Sequence, residues 1–300
     1  MNAQTRWWAG AYVALLGVAL ILVFAAPCPS APAVACEAFS DEPLTVDSLE
    51  ALPPAVLNDA RLVAASLYPG EDAKAGVVLH QLAATYLAAR EVDVVVYFNP
   101  GGWGWDPLAE IPGWESISSG IRDTLQQNGL KVLVITYKRT MHGLAGPISE
   151  MEATLGFNSL KTSELTAGVQ FLTRHLPHIK VILTGESQGA VVCEQVVQTL
   201  RDNPAVFSIQ TGPPFWHASH AFERSLVIAH NGTCPDAFSS GNWIVIARAN
   251  LEAMFGIYTG SPGNILLYIG APGHDYSWEY ESVRREIVDF LNLNFVSPVN

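Results

Sequence analysis

From residue 72 onward the apolar positions follow two alternating patterns. Asp72 to Arg90 carries Val77, Leu79, Leu82, Tyr86 and Leu87, spaced for one face of a helix. Val92 to Phe98 is a short unbroken run with Val94-Val95-Val96 at its centre, the pattern of a strand covered on both faces. The alternation then repeats. A helix is expected over Ser116–Gln127, closed by Asn128-Gly129, then a strand over Val132–Thr136. Thr162–Leu176 is the next helix, with Leu165, Val169 and Leu172 on one face and Pro177 just beyond its end. Val181–Leu183 reads as a strand and Ala190–Arg201 as a helix. Further strands are expected near Phe207–Gln210, at Leu226–Ala229 and at Ile265–Ile269. Trp243–Ile257 reads as helical, and a last helix covers Trp278–Leu291, where Val283, Ile287, Phe290 and Leu291 recur at helical spacing. Strands alternating with helices predict an α/β fold, a mostly parallel central sheet with helices on both faces. The interval from Phe207 to Ile269 is too short for a large cap domain beside the strands it must hold, so an accessible site is expected.

Ahead of this region the pattern changes. Trp7 to Ala26 is apolar without interruption, Arg6 precedes it, and no acidic residue occurs before Glu37. Such a run is long enough to span a bilayer, with Trp7 and Trp8 at the interface. Ala33-Val34-Ala35 follows as a signal-peptidase site. Residues 1–35 are thus a cleaved signal peptide or an uncleaved membrane anchor, and either places the remainder outside the cytoplasm. Residues 36–75, with acidic positions and Pro53-Pro54, read as a linker or loosely packed amino-terminal arm. The catalytic domain is expected over residues 76–300.

Composition narrows the function. The 300 residues suffice for one large domain, and 49% apolar with 15% charged residues is globular composition. A net charge of -12, with only 16 basic residues and no basic run, excludes a nucleic-acid partner. The four cysteines, Cys28, Cys36, Cys193 and Cys234, match no zinc or redox spacing. No metal or organic cofactor is implied.

The chemistry centres on Gly185-Glu186-Ser187-Gln188-Gly189, between the Val181–Leu183 strand and the Ala190–Arg201 helix. Strand, sharp turn and helix are the context of a G-x-S-x-G nucleophile elbow, which lifts a serine hydroxyl above the sheet edge. The alternative is a glycine-rich loop in which Ser187 only caps the helix. An activated serine needs a base oriented by a carboxylate, and at an elbow these follow in the order Ser, Asp or Glu, His. His274, in a loop read as mobile between the last strand and the last helix, is the base. Among Glu223, Asp236, Glu252 and Asp202, Asp236 follows the Leu226–Ala229 strand by a short loop and is the carboxylate. Glu223 precedes that strand and faces the wrong edge. The oxyanion donors are the Gln188 N–H, at the helix start, and the Gly102 or Trp103 N–H, in the Asn99-Pro100-Gly101-Gly102-Trp103 loop. Trp103 and Trp105 are candidates for a wall of the acyl pocket.

On these residues, from about Val92 to Phe295, the chain resembles an α/β-hydrolase. Ser187-Gln188-Gly189-Ala190 resembles the cutinase-like serine esterases, which include actinobacterial secreted esterases and phage enzymes that cleave mycolyl esters. Two features depart from that pattern. Glu186 stands where an aromatic residue is usual, and Asp236 and His274 lie further apart along the chain. The resemblance implies a lipid or polyester-type ester as substrate.

The function expected from the sequence is a serine esterase or lipase acting outside the cytoplasm, secreted or held at the membrane by its amino-terminal segment. An acyltransferase with the same residues is a close variant. A non-catalytic envelope-associated binding protein of this fold is the alternative from another class.

Overall fold

The computed structural model describes residues 44, 46, 48–102, 104, 106–139, 160–217, 222–258, 263–266 and 269–296. The apolar segment Trp7–Ala26, the Ala33-Val34-Ala35 site, Cys28, Cys36, Trp103 and Trp105 lie outside the described residues.

Five parallel strands form the central sheet: β1 (Val94–Asn99), β2 (Val132–Thr136), β3 (Lys180–Glu186), β4 (Val206–Thr211) and β5 (Ser225–Ile228), in the order β2-β1-β3-β4-β5. Side chains of a strand alternate between faces, and β1 shows it. Val95 and Tyr97 enter one core, and Val94, Val96 and Phe98 the other. The first core lies under α1 (Pro54–Leu67), α2 (Asp72–Ala89), α4 (Leu160–His175) and α5 (Gln188–Thr199). The second lies under α3 (Pro112–Gln127) and α7 (Glu281–Phe295). Burial on both faces explains why these strands read as unbroken apolar runs.

The order reverses between β1 and β3, which lie side by side although β2 separates them in sequence. A crevice opens at the carboxyl ends of strands at such a switch point, where open parallel sheets bind ligands. The Asn99–Gly104 loop leaves β1 there and the Ser187 turn leaves β3.

Three expected elements differ. No helix is expected ahead of Asp72, yet α1 runs from Pro54, and its Val56, Ala60 and Ala64 are buried in the first core. Pro54 at the first helical position is compatible with a helix start, because its fixed φ suits it and its missing N–H would have no partner. Helix α3 begins at Pro112, not Ser116, for the same reason. The strand expected over Ile265–Ile269 is not in the central sheet. It divides into β6 (Asn264–Leu266) and β7 (Ile269–Gly270), a small antiparallel pair. That pair packs beside α6 (Trp243–Met254), in a satellite core of Ala237, Phe238, Ile246 and Ala271.

Candidate active site

The elbow is built by close backbone packing. A Cβ on Gly189 would fall 2.0 Å from the Asn99 carbonyl oxygen, and one on Gly185 would fall 2.5 Å from the Gly189 carbonyl carbon. Only glycine lets β3, α5 and the loop after β1 meet this closely. Ser187 pays for the turn in backbone strain: its φ of 51° is the only positive value at a non-glycine among the described residues. Such a conformation costs of order 1–3 kcal/mol and persists where the surroundings impose it. The Ser187 N–H donates to the Thr211 carbonyl at 2.9 Å, locking the turn to β4. Its side chain makes no capping hydrogen bond to α5. The reading of Ser187 as a mere helix cap therefore has no support in the geometry.

His274 and Asp236 are brought together. His274 Nδ1 and Asp236 Oδ2 lie 2.8 Å apart, with Asp236 fully buried and His274 2% exposed. An ionised carboxylate only accepts, so His274 donates from Nδ1 and keeps Nε2 as its acceptor. Asp236 Oδ2 also accepts from the Tyr276 hydroxyl at 2.7 Å and the Ser239 hydroxyl at 2.9 Å. Oδ1 accepts from the N–H groups of Phe238 at 2.8 Å and Ser239 at 3.0 Å. Burial pushes the Asp236 pKa up, but the His274 hydrogen bond and charge, with Tyr276 and Ser239, bring it below the ordinary value. Asp236 therefore stays charged inside the protein.

The His274 loop is not loose. The Ala237 N–H donates to the Pro272 carbonyl at 2.9 Å and the His274 N–H to that of Ala271 at 3.0 Å. Next to His274, Asp275 accepts from Asn231 at 2.8 Å and from the Tyr280 hydroxyl. The expected mobile loop is thus a pinned, buried one, because its neighbouring carboxylate finds two partners that the sequence does not mark.

Ser187 meets this pair across Gly212. Thr211, bonded to the Ser187 N–H, precedes Gly212, and a Cβ on Gly212 would fall 2.7 Å from His274 Cε1. Among the described residues no hydrogen bond joins Ser187 Oγ to His274. Catalytic hydrogen bonds often tighten only when substrate binds. Ser187 keeps 9% of its surface exposed. Ser187 and His274 are thus more enclosed than the accessible site expected from the sequence.

On the other side of Ser187 lies the loop after β1. A Cβ on Gly101 would be 3.5 Å from Ser187 Cβ, and Gly102 has a φ of 52°. The N–H groups of Gly101, Gly102 and Gln188 donate to no protein acceptor among the described residues. Unpartnered N–H groups gathered at one serine suit a developing oxyanion. The sequence places the second donor at Gly102 or Trp103; in the structure Gly101 lies against Ser187, and Trp103 is outside the described residues.

The chain is similar to several solved structures, two of which are cutinases or cutinase-like proteins. A Trichoderma reesei cutinase in complex with a C11Y4 phosphonate inhibitor is 17% identical, with 81% of this chain and 94% of that chain covered and a TM-score of 0.41. A cutinase-like protein from Cryptococcus sp. is 12% identical, with 68% and 96% covered and a TM-score of 0.42. No family model and no curated protein matches the sequence. At these identities and TM-scores the likeness carries no statement about activity, which rests on the residues themselves.

Two groups at the site had little or no signal in the sequence. Tyr276 follows His274 by two positions, and nothing in the sequence marks it as a partner of Asp236. Glu186 is half-buried beside Ser187. Burial raises its pKa to about 7, opposed by the His274 charge and reinforced by Asp236, Asp106 and Asp275. Glu223 precedes β5, and Glu252 pairs with Arg248 on the exposed side of α6 at 2.7 Å, so neither reaches His274.

Proposed function

We propose that the protein is a serine esterase that hydrolyses apolar carboxylic esters through an acyl-enzyme on Ser187. The observation that carries this is the strained, uncapped Ser187 at the sheet's switch point, beside a buried imidazole held by a buried carboxylate. Ser187 Oγ attacks the ester carbonyl carbon while His274 Nε2 takes its proton. The tetrahedral oxyanion is met by N–H groups from Gln188 and the Gly101–Gly102 segment. As it collapses, the ester C–O bond breaks and the imidazolium returns the proton to the leaving alcohol. Water, deprotonated by the same nitrogen, then releases the acid. Asp236 holds the imidazole tautomer and offsets its charge.

An apolar substrate is supported by the surroundings of the base. The Phe238 ring lies 5.1 Å from that of His274; Phe215 and Trp216 pack edge-on against Phe238, and Trp243 packs edge-on against Phe215. Helix α6, which begins at Trp243, exposes Ile244 in its first turn, 82% exposed. An extracytoplasmic setting is supported by the Trp7–Ala26 run, which orients the rest of the chain outward.

The test is turnover of aryl esters of rising acyl length by the parent and by Ser187→Ala. The reading expects hydrolysis that strengthens with acyl length and vanishes in the variant. Residual rates in Ser187→Ala within about tenfold of the parent would contradict it.

A further inference from the structure

The stretch Tyr137–Arg139, continuing from β2, takes up the carbonyls of the loop that faces Ser187. The Tyr137 N–H donates to the Phe98 carbonyl at 2.7 Å, and the Arg139 N–H to that of Gly104 at 2.9 Å. Between them the Arg139 guanidinium donates from Nη1 to the Pro100 carbonyl at 2.6 Å and from Nη2 to the Gly102 carbonyl at 3.3 Å. Alternate carbonyls of residues 98, 100, 102 and 104 are thus all turned toward one side. Arg139 is 2% exposed, deep for a residue whose charge rarely leaves water. Room for it is made by Gly104, where a Cβ would fall 2.6 Å from Cζ.

In a trans peptide the C=O and N–H point in opposite directions. Drawing the Pro100 carbonyl to Arg139 therefore turns the Gly101 N–H away from it, and Gly101 is the residue packed on Ser187. A cation on the carbonyl also polarises that peptide, making its N–H a stronger donor. We propose that Arg139 is a positioning residue for the oxyanion site, fixing and polarising the Pro100–Gly102 peptides so that the Gly101 N–H meets the charge developing above Ser187. The proposal rests on the esterase reading and adds a group from a different strand, which touches no reacting atom.

The role has a kinetic signature. Oxyanion stabilisation acts in the transition state, so losing it lowers kcat with little change in KM. Arg139→Met keeps a long apolar stem and loses the donors; Arg139→Lys keeps the charge and loses the fork. Gly104→Ala pushes the guanidinium aside without altering it, and provides a second route should the Arg139 variants fail to fold. Each is assayed on an aryl ester well below its own Tm, with Ki for an aryl boronate that adds to the serine as a tetrahedral mimic. The expected result is a kcat lower by on the order of a hundredfold in Arg139→Met, with Arg139→Lys and Gly104→Ala in between. KM stays within about threefold, and the boronate Ki rises in step with the loss in kcat/KM. Folded variants that keep kcat within about threefold of the parent would overturn the proposal and leave the esterase reading intact. A parent that neither hydrolyses the ester nor reacts with a fluorophosphonate would overturn both.

Discussion

Tyr276 and His274 share one oxygen of Asp236, with the phenol 2.7 Å and the imidazole nitrogen 2.8 Å from Oδ2. The carboxylate is therefore fixed independently of the histidine, and the histidine meets an acceptor already in place. Tyr276→Phe removes one charged hydrogen bond and keeps the ring. Such bonds are worth about 1.5–3 kcal/mol, so the variant should lose roughly tenfold in turnover, with a lower Tm. Asp236→Asn should cost on the order of a thousandfold or more, by favouring the wrong tautomer. Glu223→Gln and Glu252→Gln should cost little. A crippling effect from either glutamate, or none from Asp236→Asn, would remove Asp236 from the site.

The Ser187 backbone predicts a trade between stability and activity. Glycine adopts a positive φ without the penalty a Cβ brings. Ser187→Gly should therefore be inactive yet more stable than the parent, by about 1 kcal/mol after the added freedom of its unfolded chain. Chemical denaturation reads this directly. A variant less stable than the parent would mean that the turn is not strained.

Glu186 predicts a pH dependence. Its folded pKa of about 7 lies above the ordinary 4.5. A raised carboxyl contributes stability that is complete below about 4.5 and is lost as pH rises through about 7. Asp236 has the opposite sign: its contribution is present above the ordinary range and is lost in acid. Replacing Glu186 with Gln should therefore raise Tm relative to the parent by roughly 5 °C at pH 8 and by much less at pH 4.5. An equal difference at both pH values would show that Glu186 titrates normally.

The strands and the elbow were legible because burial on both faces writes them as unbroken apolar runs, and close packing writes the turn as Gly185 and Gly189. Asp236 was legible by elimination, since it alone follows a strand at the correct edge. Helix α1 was not, because its buried stripe is Val56, Ala60 and Ala64, mostly alanine, behind two prolines that also suit a linker. The β6–β7 pair was not, because a short apolar run does not say which sheet it joins. Arg139 and Tyr276 act through tertiary contacts with the loop after β1 and with Asp236, and no local pattern announces such contacts.

Activation of Ser187 as a nucleophile by His274 and Asp236 is read by reaction with a fluorophosphonate, followed by intact mass and mapping of the modified peptide. One adduct per chain is expected on Ser187, formed quickly in the parent, far more slowly in Asp236→Asn, and absent in Ser187→Ala. A folded parent that takes up no probe, or carries the adduct on another residue, would contradict it.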